Sequence, residues 1–391
     1  MAKSDKATSV DVVIIGAGIA GLWVFNHLKS QGYDALLLER SEIGGGQTIA
    51  AQGIIHSGLK FSLAGKVNAL AKSISQMPER WRAALNGQGD VDLSAAQISA
   101  LSQQLFIPSG FLGDLTTLIT QKTLGNNVQS IPKMDWSAEI KDSGFDGSVI
   151  SMDEPVLDVP SVIRALASPY KNCICKIDDT DPFKFLERHH INAKRVIFTC
   201  ASSNEGIAKA HKHDEGLATQ HRPLLQAMVK NAPFSLFAHL VGKTDKPVVS
   251  ITTHTTDDGA LIWYLGGGVA ERSKTSAREA VYQDTLKAFK KYLPNVNLSN
   301  VEWSVLPIDR VEGKSNTDGW MPNTPTVHTT TGALYCWPTK LTFAPLLGDM
   351  VMKDLEQNNI LPSQNNSDFS FLDTVDYAQT PWDKAQWKKF N

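Results

Sequence analysis

The strongest pattern in the chain lies near its start. Val10 to Ile15 are apolar apart from Asp11, a glycine-rich stretch follows, then an amphipathic stretch, and Ala35 to Glu39 form a second apolar run closed by an acid. Two short apolar runs flanking a turn and an amphipathic segment predict a βαβ unit. Further along, the apolar spacing of DLSAAQISALSQQLF, residues 92–106, predicts a surface helix. Thr342 to Met350 predict the start of another, with Pro345 tolerated in the first turn. Residues 357–370, QNNILPSQNNSDFS, are polar and turn-rich, and predict a loop. No internal repeat is evident, and nowhere do 18 successive residues stay apolar, so no transmembrane helix is predicted.

Composition sets limits rather than a function. With 38 Lys+Arg against 40 Asp+Glu the formal net charge is −2, which argues against a broad basic nucleic-acid surface. A hydrophobic content of 42% supports a large core, and 391 residues suggest two or three domains at about 150 residues each. Cys173, Cys175, Cys200 and Cys336 are too few for a disulfide scaffold and lack the spacing of a zinc site, so they read as buried free thiols. His189-His190 and His211-x-His213-Asp214 also lack a zinc-type ligand set, and no metal is expected. The polar opening MAKSDKATSV holds no signal-peptide segment. A cytoplasmic location is therefore expected, with peripheral contact at the inner membrane left open.

Candidate chemistry begins at the turn of the βαβ unit, Gly16-Ala17-Gly18-Ile19-Ala20-Gly21. In that spacing the first glycine permits the tight turn, the second lets a pyrophosphate approach the backbone, and the third packs helix on strand. The helix that follows aims its amides and positive dipole end at the phosphates. Glu39 stands 18 residues beyond Gly21, where a carboxylate can accept hydrogen bonds from an adenosine ribose, and Arg40 is beside it. Strand, helix and acid together predict dinucleotide binding.

Which dinucleotide is indicated by the next segment, residues 41–61, SEIGGGQTIAAQGIIHSGLKF. It resembles the second flavin-contacting loop of the D-amino acid oxidase (DAO) superfamily of FAD-dependent oxidoreductases. The likeness is to the glycerol-3-phosphate dehydrogenase branch, with its Ile-His-Gly-Gly-Leu-Arg-Tyr-like stretch, and to the His-Ala-Gly version in L-2-hydroxyglutarate dehydrogenases. Other pieces follow in the family's order. EPVLDVPSVIRAL (154–166) is similar to the segment whose Asp-x-Pro opens a helix returning to the FAD domain. RVIFTCA (195–201) resembles a strand that ends near the FAD, and DDGALIWYLGGGVAE (257–271) a hairpin strand of the substrate domain. WSVLPIDRVEGKSNTDG (303–319) resembles the strand with a substrate-facing arginine, and Lys340-Leu341-Thr342 resembles a Gly-Gly-Lys-Leu-Thr-Thr stretch. The departures are Phe61 for the family's tyrosine, Cys200-Ala201-Ser202 for its usual glycine, and Trp337-Pro338-Thr339 for its glycine pair. A second arginine expected shortly after Arg310 is not found between Val311 and Trp320.

The resemblance implies an α/β (α+β) chain, with a Rossmann-like FAD-binding domain and a second, mixed or antiparallel β-sheet substrate domain. The FAD domain would comprise about residues 8–80, 155–215 and 320–391, and the substrate domain about 81–154 and 216–319. It implies FAD contacts from Gly16, Gly18, Ile19, Ala20, Gly21, Glu39 and Arg40, and from Gln47, Thr48, Gln52, Gly53 and Ile54 in the loop. Ala201 and the stretch Thr339, Lys340, Leu341, Thr342 complete the set. The helix after Thr342 would turn its dipole to the flavin N1–C2=O edge.

A flavin dehydrogenase must place a substrate C–H over the flavin N5 and hold or remove the adjoining proton. His56 is the titratable candidate for that proton, the alternative being a histidine that only packs or hydrogen-bonds the loop. Arg310, in an otherwise apolar segment, would clamp an anionic group, the alternative being a surface pair with Asp309 or Glu312. Lys340 and Lys60 would add positive charge, and Trp263 or Tyr264 would line the pocket. The expectation is thus an FAD-dependent oxidation of a small anionic alcohol, a 2-hydroxy acid or one like glycerol 3-phosphate. An amine or D-amino acid substrate is the runner-up, and a flavoprotein without turnover a further reading. No second glycine motif for a nicotinamide cofactor is seen, so oxygen, a quinone or a carrier protein is the expected electron acceptor.

Overall fold

A computed structural model describes residues 7–57, 74–110, 128–242, 246–272, 276–314 and 324–389. Lys60, Phe61 and the stretch 315–320, searched for a second arginine, lie outside the described residues. The βαβ unit is β1 (Thr8–Ile15), α1 (Ile19–Ser30) and β2 (Ala35–Glu39). β1 pairs in parallel with β2 on one side and with Ile191–Phe198 on the other. Its continuous apolar run reflects burial on both faces, as a central parallel strand requires. Among the described residues the first sheet has six strands, running Thr326–Thr330, Ala333–Trp337, Ile191–Phe198, β1, β2 and Ile174–Lys176. Helix Ala344–Gln357 packs on α1 through Gly348, where a Cβ would come 3.2 Å from both Trp23 and His27. Helix Val159–Ala167 is capped by Asp158, whose side chain accepts from the Ser161 N–H, with a proline in its first turn.

Among the described residues the second sheet has nine strands, in the order Lys388–Lys389, Glu302–Gly313, Thr219–Lys230, Leu261–Gly266, Pro247–Thr255, Ala238–Val241, Gln103–Pro108, Gly147–Met152 and Val128–Ile131. It is mixed, because Ala238–Val241 runs parallel to Gln103–Pro108 while the other pairings are antiparallel. Alternation divides its two long strands cleanly. Leu225, Ala227, Val229, Trp303 and Val305 face a core with the helix Arg278–Tyr292. Arg222, Leu224, Gln226, Leu306, Ile308 and Arg310 occupy the other face, turned toward the first sheet.

One expectation is corrected. Residues 92–106 form no helix: Ile98–Ala100 and Gln103–Pro108 are strands, because pairing of the first with Val156–Leu157, and of the second with Gly147–Met152 and Ala238–Val241, overrides the local apolar spacing. The helix Met77–Leu85 buries Met77, Trp81 and Ala84 in the first core. The tail after residue 376 crosses to the second sheet: Trp382 packs with Met228, Ile262 and Tyr264, and Lys388–Lys389 pair with Glu302 and Trp303. The predicted helix after Thr342 is present, preceded by a 3₁₀ turn, Leu341–Phe343. Among the described residues no helix is long and apolar enough to cross a membrane.

Candidate active site

The turn between β1 and α1 is built from backbone. Gly16 sits at φ +106°, which L side chains rarely adopt, and a Cβ there would lie 2.9 Å from the Thr199 carbonyl oxygen. At Gly21 a Cβ would stand 1.9 Å from the Gly16 carbonyl oxygen, so helix and strand meet only over a glycine. Thr48 reaches the start of α1, where its Oγ1 accepts from the Ile19 N–H at 2.9 Å. Glu39 closes the same turn, its Oε2 accepting from the Ala17 N–H and its Oε1 from the Ser41 N–H, each at 2.7 Å. A cradle kept open by glycines, a helix N-terminus and a carboxylate at the end of β2 fit a dinucleotide's pyrophosphate and ribose.

The cradle opens into a cleft of about 830 Å³ between the two sheets. Each residue singled out from the sequence as a catalytic or cofactor contact lines it, apart from Gly21, which acts through packing. The loop from Gly44 to Ser57 crosses this cleft and is pinned on both sides. Gln52 Nε2 donates to the carbonyls of Ser250 (3.2 Å) and Tyr264 (2.9 Å), the Tyr264 hydroxyl donates to the Ala50 carbonyl (2.8 Å), and the Val311 N–H donates to Gln47 Oε1 (3.3 Å). Gln47 and Gln52 therefore anchor the loop to the second sheet. On the other side Thr342 Oγ1 accepts from the His56 N–H and donates to the Ile54 carbonyl, both at 3.3 Å.

His56 is not alone at the end of that loop. Its Nδ1 lies 3.1 Å from Oε2 of Glu154, a carboxylate with 1% exposure, and the other carboxylate oxygen accepts from the Ser57 N–H and hydroxyl, each at 2.9 Å. Behind Glu154 stands His239, fully buried, its Nε2 3.9 Å from the same oxygen and its Nδ1 2.7 Å from Ser250 Oγ. These three groups bring metal-ligating atoms within 4.8 Å of one another, a combination that the expectation of no metal did not foresee. The contact between His56 and Glu154 fixes the imidazole by one nitrogen, the arrangement that orients a general base. Glu154 is 98 residues from His56 in sequence and carries no local signal beyond its place at the head of the 154–166 segment.

Arg310 projects from the cleft face of its strand, directly across the ladder from Arg222. Arg222 is held by Glu312 at 3.0 and 3.2 Å and has Glu271 at 3.9 Å. Among the described residues no hydrogen bond or ion pair engages Arg310, and its Nε is buried without a partner. Burial, and then the like charge of Arg222, hold the Arg310 guanidinium below its ordinary pKa. A guanidinium can hold a carboxylate or phosphate by two parallel hydrogen bonds. The alternative, a pairing of Arg310 with Asp309 or Glu312, is not found among the described residues, since Asp309 pairs with His221 and Glu312 with Arg222.

The two substituted glycine positions converge. Ala201 (φ +49°) and Thr339 (φ +62°) both hold left-handed backbone, the conformation that glycine adopts most readily. The Trp337 indole N–H donates to the Ala201 carbonyl at 3.1 Å, so one departure braces the other. Cys200, expected to be buried, is only half-buried at this turn and lines the cleft, and desolvation pushes its thiol pKa up to about 12. Lys340 lines the cleft with its ammonium 5.8 Å from the Phe343 ring centroid.

The remaining candidates are structural. Trp263 and Tyr264 are fully buried and do not line the cleft: Trp263 packs in the second core and donates to the Phe234 carbonyl, while Tyr264 braces the loop. His211 pairs with Asp181 at 3.1 Å, His213 contacts the Tyr335 hydroxyl at 3.0 Å, and His189 packs on Phe185.

Comparison with known proteins bears on the same residues. A family model described as DAO, FAD dependent oxidoreductase, matches residues 11–169. The probable FAD-dependent oxidoreductase PA4991 of Pseudomonas aeruginosa is 34% identical over 390 residues, covering 97% of this chain and 99% of that protein. The crystal structure of PA4991 superposes with a TM-score of 0.81 at 30% identity, over 97% of this chain and 99% of that one. Glycine oxidase from Geobacillus kaustophilus (TM-score 0.63, 15% identity, 95% of this chain and 100% of that one) shares the fold. So does FAD-bound L-alpha-glycerophosphate oxidase from Mycoplasma pneumoniae (0.62, 14%, 95% and 99%).

Proposed function

The chain belongs to the DAO family of FAD-dependent oxidoreductases, and from that premise we propose that it oxidises a small anionic alcohol, a 2-hydroxy acid or a compound like glycerol 3-phosphate. The observation that carries this reading is Arg310, a cleft-facing guanidinium free of any partner among the described residues. It would clamp the carboxylate or phosphate of the substrate bidentately. His56, steadied through Nδ1 by Glu154, would accept the hydroxyl proton at its other ring nitrogen. Bound FAD supplies the acceptor for the hydride released from the substrate carbon. The glycines of the 16–21 turn, Glu39, the loop 47–54, Ala201 and the 339–342 turn would hold the cofactor, as their place along one cleft supports. Lys340 would add positive charge to that wall.

An amino acid offers the same anionic group, and glycine oxidase and L-amino acid deaminase are among the fold neighbours. The pairing of His56 with Glu154 favours the alcohol, because a neutral amine already carries a lone pair and needs no such base. Anaerobic titration of the holoenzyme with glycerol 3-phosphate, L- and D-2-hydroxy acids and D-amino acids tests the reading. Bleaching of the flavin by one of the alcohols is the expected result, and bleaching by amino acids alone would overturn it.

A further inference from the structure

His239 has no part in the reaction proposed above, yet it is fully buried beside the residues that do. Its Nε2 stands 3.9 Å from the same Glu154 oxygen that lies 3.1 Å from His56 Nδ1. At 3.9 Å two atoms are too far apart for a direct hydrogen bond but suitably spaced to be two ligands of one ion. One ligating atom from each of His56, Glu154 and His239 lies within 4.8 Å of the other two. Ligand atoms of a tetrahedral zinc ion stand about 3.4 Å apart, so the set closes on an ion by a shift of about 1 Å. His56, 31% exposed and lining the cleft, is the member with room to make that shift. The other atoms of the set are already held. Glu154 Oε1 accepts from the Ser57 N–H and hydroxyl, each at 2.9 Å, and His239 Nδ1 lies 2.7 Å from Ser250 Oγ. Outer partners of this kind aim a ligand's lone pair at an ion and fix the imidazole tautomer. A separate observation points the same way. Gln103 lies on the strand face that carries Leu105, the residue opposite His239, and pairs with Met152, two residues before Glu154. Its side-chain nitrogen and oxygen are both buried without a hydrogen-bond partner among the described residues. A buried native amide in that state calls for an ion or a bound water to satisfy it.

We propose that His56, Glu154 and His239 form a binding site for a divalent transition-metal ion of the zinc type, and that an ion held there silences the enzyme. Two imidazoles and a carboxylate suit zinc rather than magnesium or calcium, which take oxygen ligands. Three protein ligands leave a fourth position, and the cleft lined by His56 is the way in for the ion. The silencing rests on His56 being the base named above. In that role Nδ1 carries the imidazole proton toward Glu154, and Nε2 keeps the lone pair. An ion bound at Nδ1 sends that proton to Nε2, so no lone pair is left to take the substrate hydroxyl proton. The ring holds one proton before and after. Metal binding and turnover therefore exclude each other.

The test dialyses the FAD-loaded protein against Zn²⁺, counts zinc and flavin together, and identifies the ligands by zinc K-edge absorption. One zinc per flavin is expected, with two imidazoles in its coordination shell and no sulfur. His56→Asn and His239→Asn should each weaken binding by about 100-fold or more, and Ser250→Ala by about tenfold. His211→Asn, at a histidine paired with Asp181, should change nothing. Flavin content checks that each variant is folded, and His56→Asn, at a half-buried position, carries the test if the fully buried His239 cannot be replaced. Zinc held equally by the wild type and His56→Asn, or held through sulfur, is an adventitious ion only and overturns the site, as does the absence of stoichiometric binding. One equivalent of zinc should also slow reduction of the wild-type flavin, by the alcohol that bleaches it, by roughly 10²–10⁴-fold, with a chelator restoring the rate. Stoichiometric binding with undiminished reduction keeps the site and refutes the base at His56. No binding, in a protein whose reduction His56→Asn still slows, refutes the site and keeps the base.

Discussion

The turn at residues 16–21 and the cleft face around Arg310 meet the same cavity but are made in opposite ways. The turn is six consecutive residues whose work is done by backbone: a positive φ at Gly16, a bare contact at Gly21, and amides at the start of α1. The face around Arg310 is made of side chains brought from distant strands, with Glu154 reaching His56 across 98 residues and Glu312 reaching Arg222 across 90. A backbone device tolerates no added atom, whereas a side-chain device tolerates replacement and changes its preference. Holding a cofactor and choosing a substrate are thereby separable within one cleft.

The harshest way to break the contrast is Gly21→Val, which puts atoms inside contact distance of the Gly16 carbonyl. Complete loss of bound flavin is expected, read as visible absorbance after gel filtration, and a variant that retains flavin would show the turn to be more yielding than its geometry implies. His56→Asn should leave flavin bound and slow its reduction by roughly 10²–10⁴-fold in anaerobic stopped flow. The part of the second sheet covered by the C-terminal tail supplies a stability counterpart. His254 is buried against Trp382, 4.4 Å between rings, and burial lowers its pKa to about 4. The unfolded chain takes up that proton near pH 6.5 and the folded one does not, so stability is full above pH 6.5 and falls as pH drops toward 4, by roughly 3 kcal/mol in all. Denaturant titrations at pH 7 and pH 4.5 on the wild type and His254→Phe should show that this part of the acid sensitivity disappears in the variant. Arg310→Leu is expected to raise KM for an anionic substrate by about tenfold or more with flavin content unchanged, and an equal loss for a neutral analogue would assign Arg310 to the structure instead. Smallest is Thr339→Gly, which relieves a β-branched residue at φ +62° and should raise stability by about 1 kcal/mol or less, visible as a modest rise in Tm.

The same contrast explains what the sequence makes legible. The βαβ unit and Glu39 are readable because spacing along the chain is itself the geometry. His56 and Arg310 are identifiable only through the family resemblance, since nothing local distinguishes them from a packed histidine or a surface pair. Glu154, His239, Arg222 and Glu271 become partners only once strands are registered, as the pairing of Arg222 with Arg310 illustrates. The misread segment 92–106 has the same cause: its spacing fits a helix in isolation, and the neighbours Val156–Leu157, Gly147–Met152 and Ala238–Val241 make it strand.

The return of the tail has a consequence for the order of events in biosynthesis. Tyr377 bridges back to Ile43, Lys384 pairs with Glu42 at 2.9 Å, and Gln379, Pro381 and Lys384 line the cleft whose first wall is laid down at residue 15. The cleft therefore cannot close while the ribosome is still translating the strands that form most of it. The βαβ unit can collapse early, but it waits more than 300 residues for these partners, so flavin capture belongs to the last stage of folding.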